Sequence, residues 1–194
     1  MQPNSAVSGG WWQIAGALAV ALALQATILW LMGQPPICTC GVVRLWQGTI
    51  LSPENSQQLT DWYTPSHIIH GVIFFGLLRL AVPRLPVAAA LAIALGIEIA
   101  WELAENSPPV IARYREQALA QGYSGDSILN SLSDTLAMTT GFFLARALPW
   151  RLTIGLALAA EIFTAVMVRD NLTLNVIQLI APNAAISGWQ AGAR

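Results

Sequence analysis

The feature that most constrains this chain is a series of long apolar runs, at about 11–32, 65–82, 87–104, 128–148 and 152–168, separated by segments rich in Pro, Gly and polar residues. A membrane-crossing helix needs about 20 mostly apolar residues, because the hydrocarbon layer is about 30 Å thick and a helix rises about 1.5 Å per residue. Five runs meet or approach that length. The last is the shortest and holds Glu161. Of the 194 residues 55% are hydrophobic and 10% charged, far from the quarter or so that is charged in soluble domains. That balance excludes both a soluble domain and a disordered chain. Nine arginines are scattered along the sequence without one lysine, and the net charge is -1, so no basic patch exists for a nucleic acid. The fold class expected is all-α, a polytopic transmembrane bundle in one membrane domain (11–194) behind a flexible tail (1–10), with the lipid bilayer as its surroundings.

The short connections at 83–86 and 149–151 and their flanks carry Arg79, Arg84, Arg146 and Arg151 and no acid. Short basic loops face the cytoplasm. In a bacterial inner membrane this orientation puts the N-terminus inside, and the segments 33–64 and 106–125 with the C-terminus on the periplasmic side. Trp11, Trp12, Trp30, Trp62, Trp101 and Trp150 fall near run ends, where an aromatic belt sits. The first run exceeds a signal-peptide core and lacks a basic leader, so it is read as a retained span. After Asp170, the residues Leu172, Val176, Leu179 and Ile180 form one stripe, which suits a short helix at 172–181 lying in the interface. Cys38 and Cys40 stand in the first outer segment; they can pair with each other, lie idle, or serve redox or soft-metal chemistry.

Ionisable side chains inside membrane runs are costly, and they gather here. The second run opens with His67 and His70, the only histidines, three residues apart on one helix face. The third ends with Glu98, Glu102 and Glu105 at i, i+4 and i+7, and the fourth opens with Asp126, Asn130 and Asp134 at i, i+4 and i+8. Because the start of the second, the end of the third and the start of the fourth lie on one side of the membrane, the three clusters meet there. Glu98, Asp134 and Glu161 sit about 9–12 Å below that surface by counting, with His67, His70, Glu102 and Asp126 above. The pattern describes a polar funnel with carboxylates at its floor.

Two imidazoles with several carboxylates form a ligand set for zinc, manganese or iron, with His67, His70, Glu102 and Asp126 as the metal candidates. They are equally an acid/base set, with His67 or His70 as base and a protonated Glu98 as acid. Glu98, Glu102, Asp126 and Asp134 are the catalytic candidates, and Glu105, Asn130 and Glu161 complete the polar pocket. The plainer roles stand beside these: Asn130, Ser66, Ser127 and Ser131 as interhelical glue, Asp126 as a helix cap, and the histidines as solvated or carboxylate-bound groups. Arg113, Arg115 and Arg169 are the candidate partners for the acids.

The strings Ile37-Cys-Thr-Cys-Gly41, Ser66-His-Ile-Ile-His-Gly71, Trp101-Glu-Leu-Ala-Glu-Asn-Ser107, Gly125-Asp-Ser-Ile128 and Arg169-Asp-Asn-Leu-Thr-Leu-Asn-Val176 resemble an uncharacterised alphaproteobacterial family of multi-pass membrane proteins known as a domain of unknown function. The resemblance implies a cell-membrane location and no established activity. A fainter similarity is to VanZ-like membrane proteins, in which a His opens one span, a Glu comes late in the next and Asp-x-x-x-Asn opens another; His67, Glu98 and the Asp126/Asn130 pair stand in those places, while Glu102, His70 and Asp134 depart from the pattern. It implies related helices and an envelope-facing task. Together these readings lead to an inner-membrane protein whose outer pocket acts on an envelope or lipid-linked substrate as a metal-assisted hydrolase or transferase. The alternatives are a non-catalytic scaffold for a membrane-protein partner and, last, a proton-coupled carrier.

Overall fold

A computed structural model describes residues 5–192. Among them it holds eight helices and no sheet, only an isolated bridge between Gln47 and Asp61. The helices are α1 (Ser5–Met32), α2 (Thr64–Ala81), α3 (Val87–Glu105), α4 (Pro108–Arg115), α5 (Ile128–Ala147), α6 (Trp150–Val168), α7 (Leu172–Ile180) and α8 (Ala184–Gln190). Residues 1–4 of the expected tail lie outside the described residues. Its remainder is the first part of α1, since a helix once nucleated extends at little cost beyond its apolar stretch.

Four helices, α1, α2, α3 and α6, are long and apolar enough to cross a membrane. The run holding Glu161 is one of them. The fifth expected span, α5, has 20 residues and therefore the length, yet it is more polar than the others. Its position explains that composition. It touches α1, α2, α3 and α6, and Asn130, Ser131, Asp134, Thr135, Met138 and Phe142 repeat every three or four residues on its buried side. A helix screened on most sides by neighbours does not need lipid-compatible side chains.

The distribution of polarity is inverted relative to a soluble protein. Gln25, Glu98, Glu102, Asn130 and Thr135 are fully buried, while Leu31, Leu80, Ile162 and Val166 are more than half exposed. Interior amides satisfy one another across helices: Gln25 Nε2 donates to the Ser131 carbonyl (3.1 Å), and Thr135 Oγ1 donates to Gln25 Oε1 (2.9 Å). Such pairing removes the cost of an unsatisfied polar group in an apolar medium.

The short turns at 82–86 and 148–149 make α2–α3 and α5–α6 antiparallel, so the starts of α2 and α5 and the ends of α3 and α6 share one end of the bundle. The other end holds a dry core of Ala90, Leu91, Ala94, Leu95, Met138 and Phe142. The 33–63 segment closes over the polar end. Its Pro35 and Pro36 carbonyls accept from Ile128 N and Leu129 N (2.8 and 3.1 Å), and the Ser127 hydroxyl accepts from Asn130 N (3.1 Å), so the open N–H groups of α5 are filled. Ser127 is thus the N-cap of α5, and Asp126 is freed from that role.

The tightest element contact is between α2 and α5. A Cβ on Gly71 would lie 2.0 Å from the Met138 carbonyl oxygen, and one on Gly141 would lie 2.0 Å from that of Ile68. Backbone meets backbone there. We expect Gly71→Val or Gly141→Val to cost at least about 3 kcal/mol by overpacking and to abolish a monodisperse, thermally cooperative protein in detergent, whereas Gly76→Ala, at a site with open space, retains it.

Candidate functional site

Two helical spacings build the site. The i, i+3 pair on α2 points His67 and His70 to one side, and the i, i+4 pair on α3 brings Glu98 and Glu102 to meet them. Glu98 is held between the two imidazoles: Oε1 lies 2.7 Å from His67 Nδ1 and Oε2 lies 3.0 Å from His70 Nδ1. With the carboxylate ionised, both Nδ1 atoms donate to it. That fixes both rings. In that state Glu98 orients both rings.

His67 is the centre of the cluster. Its Nδ1 also lies 3.4 Å from Glu102 Oε1, and its Nε2 lies 3.8 Å from Asp134 Oδ2 on α5. Glu102 is 1% exposed, yet neither of its oxygens has a hydrogen-bond partner. Two sets of three groups can bring ligand atoms within 4.8 Å of one another: His67, His70 and Glu98, and His67, Glu102 and Asp134. The first set is already satisfied by its own hydrogen bonds. The second is not, because it contains the unpartnered Glu102.

Beside this cluster lies a cavity of about 400 Å³. His67, His70, Glu105, Asp126, Asn130 and Asp134 line its polar part, with Trp101, Tyr63, Tyr114 and Tyr123 around them. Asp126 accepts from Tyr123 OH (2.9 Å) and Asn106 Nδ2 (2.8 Å), and its own N–H donates to Asn106 Oδ1 (2.6 Å). Gly125, at φ +93°, permits this clasp, since a Cβ there would meet Gln34 and Asn106 within 3 Å. Burial raises the Asp126 pKa to about 6 against the pull of those two donors. Asp61 is raised likewise by burial, opposed by the N–H groups of Tyr63 and Ser56. Asp170 rises to about 6 through burial, while its bond from Tyr63 OH (3.1 Å) holds it down.

The structure brings together most of the residues expected from sequence, with three corrections. The metal set of His67, His70, Glu102 and Asp126 divides: His70 turns to Glu98, and Asp126 belongs to neither ligand-competent set, its oxygens being held by neutral donors on the cavity wall. Glu161 leaves the pocket altogether. Its carboxylate accepts from Leu172 N (3.0 Å) and Thr173 N (3.1 Å), so it caps α7, whose first N–H groups would otherwise be open. The arginines do not reach the acids: Arg113 pairs with Glu116, Arg115 donates to the Tyr123 carbonyl, and Arg169 donates to the Trp189 carbonyl. Asn130 lines the cavity, but its amide donates to the Gln58 carbonyl (2.8 Å), which is a packing role. Cys38 and Cys40 are joined as a disulfide within the covering segment.

Sequence reasoning missed the tyrosines, Asn106 and Asp61, all outside the apolar runs. The tyrosines had one legible signal, their position beside the acidic strings in segments that return to the same end.

The family model described as a protein of unknown function, DUF2585, matches residues 29–192. Proteins called UPF0314 are similar over nearly their whole length. The one from Sphingopyxis alaskensis is 56% identical over 93% of this chain and 95% of its own. Those from Rhizobium johnstonii and Paracoccus denitrificans are 53% and 48% identical, covering 91% and 89% of this chain and 90% and 91% of their own. This chain belongs to the DUF2585 family. The matches carry the first of the two resemblances and not the VanZ-like one, and no solved structure matches.

Asp126 gives a direct check of the electrostatics. We expect its carboxylate, followed by ¹³C NMR, to titrate near pH 6, and Tyr123→Phe to move it upward by removing a donor to the ionised form. Because the folded pKa lies above the unfolded one, the stability Asp126 contributes is complete below about pH 4 and is lost as the pH rises through 6.

Proposed function

We propose that this protein is an inner-membrane, divalent-metal-dependent hydrolase or transferase whose pocket opens to the periplasm and acts on an envelope or lipid-linked substrate. The observation that carries the reading is the buried Glu102 carboxylate, without a hydrogen-bond partner, beside His67 and Asp134, two residues that line the cavity. A buried carboxylate without a hydrogen bond, with one imidazole at 3.4 Å shared with Glu98, must be protonated or find a cation. His67, Glu102 and Asp134 supply one nitrogen and two oxygen ligands, which leaves further positions for water and substrate, as catalytic sites require. A metal held there supplies a Lewis acid and a water of lowered pKa.

The chain's own residues supply the rest. Glu98 holds His67 and His70 in place from behind, as carboxylates do for metal-bound histidines. Asp126 and Glu105, on the cavity wall, are placed to take a proton from an attacking water or hydroxyl. The four arginines on the short turns and their flanks, opposite the site, support the periplasmic orientation, since the positive-inside rule weights short loops over the longer segments that hold the other five. The cavity argues against a scaffold, because polar packing between helices fills space and this space is open. The dry core at the opposite end argues against a carrier, which needs a polar route to both sides.

Elemental mass spectrometry on the purified full chain tests this. After zinc, manganese and iron are each offered, we expect a near-stoichiometric ion in the natural protein and its loss in folded His67→Ala and Glu102→Gln variants. Glu98→Gln should retain the ion with affinity lower by about 10–100-fold, as for other residues that orient ligands. A natural protein that takes none of the three metals overturns the proposal.

A further inference from the structure

The same cavity carries information about what enters it. Its polar part is lined by Glu105, Asp126 and Asp134, and among the described residues no arginine lines it; the sequence has no lysine. The acids are offset only by His67 and His70, whose Nδ1 atoms are already engaged by Glu98. With one divalent ion held by His67, Glu102 and Asp134, the two carboxylate ligands only balance the metal, and Glu98 and Asp126 add negative charge beside it. A phosphate or carboxylate headgroup would meet like charge on the polar part of the lining.

Asp126 sharpens the point. Its oxygens accept from an amide and a phenol, both neutral, so its negative charge has hydrogen bonds and no counter-ion. Trp101, Tyr63, Tyr114 and Tyr123 line the same cavity, and aromatic rings attract cations through the negative potential of their faces. The remaining wall is apolar, with Ile50, Leu51, Leu119 and Leu172. Polar acids at one part and aliphatic side chains at another match an amphiphile. Glu102, buried behind His67 and Asp134 with no hydrogen bond to either oxygen and only the His67 imidazole at 3.4 Å, is an independent sign that this end of the bundle is short of positive charge.

We propose that the cavity recognises a primary or substituted ammonium group on an apolar stem, with Asp126 as its counter-ion, Glu105 as a second acceptor and the aromatic rings of the lining against it. This rests on the reading of the cavity as the substrate site and names the substrate class: a cationic amphiphile, and not a phosphate-headed one.

Isothermal titration of the purified full chain in neutral detergent at pH 7.5, blanked against detergent alone, tests it with hexylamine, hexanol and hexyl phosphate as probes. Hexylamine should bind at least tenfold more tightly than hexanol, with no saturable binding of hexyl phosphate. Asp126→Asn should bring hexylamine to the level of hexanol; if that variant fails to fold, Glu105→Gln should reduce the preference in its place. Hexyl phosphate binding as tightly as hexylamine overturns the inference. So does an absence of saturable hexylamine binding, or an amine preference kept in a folded Asp126→Asn chain. Metal content measured on the same samples separates the two readings. A chain that prefers the amine but holds no metal retains this inference and loses the metal centre, and a metal-loaded chain that prefers the phosphate does the reverse.

Discussion

Everything at the polar end depends on how closely α2 approaches α5. Lipid tails are as apolar as leucine, so helices in a bilayer are not driven together by hydrophobic burial; dispersion and interhelical hydrogen bonds must hold them. Gly71 and Gly141 let the two backbones touch at the Met138 and Ile68 carbonyls. From Gly71, one turn toward the helix start is His67; from Gly141, two turns toward the start of α5 is Asp134. The glycine contact therefore sets the 3.8 Å spacing between His67 Nε2 and Asp134 Oδ2. A side chain at either glycine would separate the helices and open that gap before any residue of the cluster was touched.

The second constraint is the shortage of positive charge. Carboxylates taken out of water are stable when ionised only if something compensates them, and the usual compensating residue is arginine. Here each arginine near the site is engaged with a backbone carbonyl or a surface acid. What remains is two imidazoles for Glu98, Glu102 and Asp134. Glu98 uses both of them, which leaves Glu102 without a bond. A protein that needed only a stable bundle would be served better by an apolar residue at 102, since replacing buried charge with hydrophobic packing is often neutral or stabilising. The carboxylate at that depth is consistent with a cation, a proton or a ligand that completes the set.

How much of this was legible in the sequence follows from the range of the interactions involved. Periodicity and length give each apolar helix, and topology alone brings His67, Glu98 and Asp134 to one end, because short turns leave no other arrangement. The division of labour within the cluster was not legible. Whether Glu98 binds one imidazole or two depends on ring rotamers that spacing does not encode. Glu161 looks like a buried acid in a span, and only the return of the chain after Asp170 brings α7 back as a row of open N–H groups for it to accept. The short helices α4 and α8 have no long apolar run. They are set locally instead, α4 by prolines in its first turn and α8 by the Asn183 side chain. The polar character of α5 weakens its signal as a span for the same reason that makes it central.

That centrality also explains why the site lies at one end. The neighbours of α5 change along its length: near Ile128 it meets loop carbonyls and carboxylates, and near Phe142 it meets Leu91, Leu95 and Phe75. The first environment is built from segments between helices, which tolerate polar side chains and can leave a cavity. The second is a packed layer in which alanines at 90 and 94 admit the larger Met138 and Phe142. Rigidity at the dry end holds the register of α2, α3 and α5 while the polar end carries open space and uncompensated charge. Close packing at one end and loops at the other therefore leave the open space, and the acids that line it, at the polar end of the bundle.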